Sequence, residues 1–123
     1  MNRSDTDERF ERGIAQFNRG EFFNAHETWE EIWLAAPEPD KTFLQGIIQV
    51  AAAFHHFQRD NRAGAESLLR AGFEKIEPFP DDYRGLRLAP LRAAIQEWLA
   101  SLSRERSPTP SSFPRIERTA ALE

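Results

Sequence analysis

The sequence contains no cysteine. Disulfides, thiolate metal sites and cysteine nucleophiles are therefore excluded, and a cytoplasmic setting is favoured over secretion, where so small a domain usually needs staples. Positive charge is not in excess: 16 Lys and Arg against 20 Asp and Glu leave a net charge of −4. Neither nucleic acid nor an anionic membrane is expected as a partner. Long apolar runs are missing too. The longest uncharged stretch, 42–58, carries Gln45, Gln49, His55 and His56 and is too polar to span a bilayer. The acidic opening, 1–8, has no apolar signal segment. No glycine-rich phosphate loop, Ser–His–Asp order or Cys/His cluster occurs.

What is there suits one soluble helical domain. A chain of 123 residues supports a single hydrophobic core, and ten Phe and three Trp supply its large anchors. Periodicity predicts five helices. The first covers about Asp5 to Asn18, with Phe10, Ile14 and Phe17 at helical spacing, and Gly20 ends it. The second runs from about Glu21 to Ala36 and stops at Pro37-Glu38-Pro39-Asp40. The third, about Lys41 to Arg59, is apolar nearly all round, as a buried central helix would be. The fourth, about Arg62 to Lys75, follows Asn61 as N-cap, and the fifth starts near Pro90 and reaches Leu102.

Between the last two, 77–85 reads as an ordered loop. Within it Asp81, Asp82 and Tyr83 form either an acidic contact point or a solvated turn. The fold class is thus all-α, a single-domain multihelical bundle of antiparallel hairpins over 1–103. The Ser-, Pro- and Arg-rich segment 104–123 reads as a mobile tail, with Phe113 and Ile116 its only docking candidates. A faint internal repeat lays 10–33 over 50–73, setting Phe17 on Phe57, Arg19 on Arg59 and Ala25 on Ala65.

The chemistry concentrates on helix two. Phe22, Ala25, Trp29, Ile32, Trp33 and Ala36 make its apolar face, with Trp29 and Trp33 expected in the core. His26 and Glu30 lie beside that face, one turn apart, bracketed by Phe23 and Leu34. Glu27, Glu31, Asn24 and Thr28 point to solvent. On helix three, Gln45, Gln49 and His56 fall within about 40° of one another, with Ala52 in the same row and His55 and Gln58 elsewhere.

Folding the two helices together at the proline loop sets Glu30 against Gln49 and His26 near Ala52, within reach of His56. The expected cluster is His26, Glu30, Gln49 and His56, flanked by Trp33 and Gln45. Such groups must satisfy one another or a ligand. A His–Glu pair suits acid–base work or metal binding, and also simply holds packing in register. No cofactor is called for, and the one metal alternative is a divalent ion on His26, Glu30 and His56. The string is neither His-Glu-x-x-His nor a Glu-x-x-His pair.

These residues resemble the bacterial and plastid family termed domain of unknown function 309. Its His-x-x-x-Glu-x-x-Trp pattern falls on His26, Glu30 and Trp33. Its later Phe-x-x-x-Leu-Ile-Gln-x-x-x-Ala-x-x-His falls on Phe43, Ile47, Ile48, Gln49, Ala53 and His56. Phe10, Phe17-Asn18, Gly20, Phe22 to Ala25 and Asn61 to Ala65 match as well, so the likeness spans about 8–102. Ile47 replaces the usual Leu, and Asp60 stands where the pattern has Gly, which predicts an adjusted turn. The resemblance implies an all-helical fold and no particular activity. The reading is a non-enzymatic module that binds a protein or small ligand. The alternative is a small metal-dependent or acid–base hydrolase using His26, Glu30 and His56.

Overall fold

Residues 2–104 and 107–119 are described by a computed structural model. Phe10, Ile14 and Phe17 form the buried stripe of α1 (Arg3–Asn18), which the Asn2 side chain caps by accepting from the Asp5 amide at 2.9 Å. α2 (Phe22–Trp33) folds back on it and stops three residues before the expected end at Ala36. At their crossing the Trp29 indole lies flat against Gly13, where an added Cβ would fall 2.1 Å from Nε1. That indole is fully buried and donates to the Phe10 carbonyl at 3.2 Å. Thr28 departs from its expected solvent position: it is buried and its hydroxyl donates to Gln16 Oε1 at 2.7 Å.

α3 (Asp40–Gln58) is the buried centre, packed on both α2 and α4 (Arg62–Ile76). α3 and α4 approach at two glycines: a Cβ on Gly72 would meet the Gly46 carbonyl oxygen at 2.7 Å. Asn61 caps α4 as expected, accepting from the Gly64 amide at 3.0 Å. α5 (Leu88–Leu102) closes the bundle against α4, with Pro90 inside its first turn.

The predicted loop instead holds a small hairpin. β1 (Asp82–Tyr83) pairs antiparallel with β2 (Leu86–Arg87) across a turn whose residues, Arg84 and Gly85, have φ of 52° and 77°. Two positive φ values are what a two-residue hairpin turn requires. Asp81 is not a free acid, since its carbonyl accepts from Leu88 and its carboxylate from Ala89, at the start of α5.

The mobile tail is corrected. Residues 107–119 lie as a strap across α1, α3 and α5. Phe113 stacks on Trp98, with ring centroids 5.2 Å apart and planes 6° from parallel, and its edge meets Phe22, Phe54 and Phe57. Ile116 is buried, and its backbone exchanges two hydrogen bonds with the Asn18 amide side chain, at 2.7 and 3.0 Å. β3 (Glu117–Arg118) then adds to β2, giving the order β1-β2-β3. The physical reason is the aromatic wall: without the strap, Trp98 and three phenylalanines would face water. Residues 105, 106 and 120–123 of that segment lie outside the described residues.

Candidate functional site

The α2–α3 hairpin is antiparallel, as contacts at both ends show. Near the start of α2, Phe22 meets Phe54 at 5.4 Å, Phe23 meets His55 at 5.1 Å, and Gln58 donates to the Gly20 carbonyl at 3.1 Å. At the other end Lys41 Nζ sits 5.1 Å from the Trp33 ring centroid and donates to the Leu34 carbonyl at 3.2 Å. Pairing Phe23 with His55 carries His26, one turn along α2, to Ala52, one turn back along α3. This is the register the two polar rows suggest.

The members of the expected cluster are not all joined. His26 Nε2 lies 3.3 Å from Glu30 Oε1, one turn away on the same helix. His26 is a quarter exposed, but Glu30 is 51% exposed and stands on the rim rather than facing inward. His56 Nδ1 is 3.0 Å from Asn61 Nδ2, tying it to the α3–α4 turn. Gln49 makes no hydrogen bond to His26, Glu30 or His56 among the described residues. Trp33 and Gln45 are half-buried at the far end. No three His, Asp or Glu side chains of the described residues come together as a metal ion would need, so the His26–Glu30–His56 ligand set is not assembled.

Instead, the hairpin concentrates unmet hydrogen bonding. Of four buried side-chain N or O atoms without a partner among the described residues, three belong to α2 and α3: His26 Nδ1, Trp33 Nε1 and Gln49 Oε1. Beside them stand the only two large apolar residues of the described chain that are well exposed, Phe23 at 46% and Leu34 at 74%.

His55 belongs to this face although its wheel angle sets it apart. Its ring packs on Phe23, which itself lies 5.9 Å from the His26 ring, and His56 is 6.1 Å from His55. All three histidines of the chain therefore gather at one end of the hairpin. Burial first, then the charges of Arg59, His56 and His26, pushes the His55 pKa below its ordinary value.

A separate groove, an open space of about 770 Å³, lies between α1, the α2–α3 loop and the hairpin turn. Arg84 fills one wall. Its guanidinium stacks over Phe10 at 4.3 Å and pairs with Asp40 at 3.0 Å and Asp7 at 3.8 Å. Asp40 also accepts from the Tyr83 hydroxyl, whose pKa burial and this bond push up to about 12. These charges satisfy one another. Tyr83 is thus neither a free contact point nor a solvated turn residue, and the β-turn that delivers Arg84 carries no helical signal in the sequence.

The fold and this face define the class: a domain of stacked helical hairpins with a His-Glu-Gln rim and, among the described residues, no group of three His, Asp or Glu placed to hold a metal ion. Residues 10–68 match the family model described as "Domain of unknown function (DUF309)". Over that stretch, from α1 into α4, the chain is similar to this family, as the His26, Glu30 and Trp33 spacing suggests. Two relatives extend the match. An "Uncharacterized protein" of Aquifex aeolicus (strain VF5) is 33% identical over 86 residues, 69% of this chain and 26% of its own length. The "Uncharacterized protein YpuF" of Bacillus subtilis (strain 168) is 32% identical over 95 residues, 71% of this chain and 53% of its own. The chain therefore spans about half or less of the curated relatives it matches. Among the described residues no helix is long and apolar enough to cross a membrane.

Proposed function

We propose that this chain is a non-enzymatic binding module and that the α2–α3 face takes a protein or small ligand. One observation carries the reading: His26 Nδ1, Trp33 Nε1 and Gln49 Oε1 are buried on a single helix pair without partners among the described residues. Each such atom costs about 1–3 kcal/mol. A protein keeps that cost where a ligand, or a shift on binding, repays it. Exposed Phe23 and Leu34 supply the apolar anchors beside the polar centre. A cytoplasmic setting goes with this reading, supported by the cysteine-free composition. The acid–base alternative gains nothing, because His56 is engaged by Asn61 and stands apart from the His26–Glu30 pair.

The test is stability. Gln49→Leu keeps the volume and removes the unpaired carbonyl, so denaturant melts should show a gain of about 1 kcal/mol or more. A loss of that size would mean Gln49 holds the fold together, and the face would then be scaffold.

A further inference from the structure

We propose, resting on that binding reading, that the partner of the α2–α3 face is a second copy of this chain, docked α2 against α2 about a two-fold axis. Phe23, His26, Glu30 and Leu34 recur at three- and four-residue steps and form one stripe on α2. Leu34 keeps helical angles, φ −60° and ψ −38°, so it continues that stripe. Read along the helix, the order is apolar, histidine, carboxylate, apolar. Read backwards, it is apolar, carboxylate, histidine, apolar.

An antiparallel copy therefore complements the original. Phe23 meets the second copy's Leu34, His26 meets its Glu30, and each contact occurs twice. That is the signature of an isologous interface, in which one patch recognises itself. The two apolar ends are the well-exposed large hydrophobic residues of the described chain, and the carboxylate between them is half in water. A helix of 12 residues is about 18 Å long, which places such an interface at the small end of the stable range and its affinity in the micromolar region.

Sedimentation of the purified chain from about 1 µM to about 1 mM reads the association directly. The wild type should pass from monomer to dimer within that span. Phe23→Lys or Leu34→Glu should each weaken dimerisation at least tenfold. Both side chains are exposed, and circular dichroism melts confirm that the variants fold. Mixing the two variants should restore a heterodimer, because Lys at 23 then faces Glu at 34. The double variant should dimerise by itself for the same reason. A wild type that stays monomeric throughout overturns the proposal, as does a dimer indifferent to both variants, or single-variant losses that neither mixing nor the double variant repairs. The Gln49→Leu melt is run on dilute monomer. A monomeric wild type with a stabilised Gln49→Leu would thus remove the second copy and leave the binding reading standing.

Discussion

His55 shows how a site residue escapes a wheel diagram. Its angle on α3 puts it outside the Gln45–Gln49–His56 row, yet an exposed phenylalanine from the neighbouring helix reaches across to it. Side-chain reach, not backbone angle, decides membership there, and spacing alone does not carry reach. Its lowered pKa has a definite sign. The folded chain binds fewer protons at this ring than the unfolded chain does. This contribution is therefore complete above the unfolded value of 6.5 and is lost as pH falls below it toward the folded value. Melts at stepped pH should show stability dropping on that acid side, and His55→Asn should flatten the slope. Equal slopes in both proteins would mean the ring is not desolvated. The other rim residues were readable because their types are unusual on a helix flank: His26 and Glu30 one turn apart do touch, while Gln49 and His56 lie on the facing helix without joining them.

The helices themselves were almost wholly predictable, since each has a strong apolar stripe and a recognisable stop. The faint repeat has a concrete counterpart at those stops. After α1, Gly20 donates to the Phe17 carbonyl and Glu21 to the Gln16 carbonyl; forty positions on, Asp60 donates to Phe57 and Asn61 to His56. Both are left-handed helix-ending motifs, with φ of 78° at Gly20 and 61° at Asp60. The turn at Asp60 is thus kept without the glycine, at the steric cost a Cβ brings to that region. Asp60→Gly should stabilise the protein by about 0.5–1 kcal/mol in a denaturant melt, the relief being partly offset by a freer unfolded chain. A destabilised variant would mean the aspartate side chain compensates locally. The strands were not foreseeable, because two-residue segments are too short to show alternation.

Taken as one body, the molecule is two hairpins and a fifth helix bound by the strap. Phe113 and Ile116 stand out as anchors in an otherwise polar segment, but composition around them speaks for mobility; what holds them is a wall of aromatic rings assembled from three distant helices. A chain lacking 107–123 should therefore lose at least about 3 kcal/mol of stability, the burial of one aromatic and one aliphatic side chain. An unchanged thermal midpoint would show the strap to be dispensable. The Asn18–Ile116 clasp joins positions 98 apart. Closing so long a loop is entropically expensive, whereas each hairpin pairs near neighbours and forms early. During folding, then, Phe22, Phe54, Phe57 and Trp98 lack this cover until the stretch from Phe113 to Ile116 has docked. A chain caught before that step presents an aromatic face to any apolar surface it meets, and docking of the strap hides it.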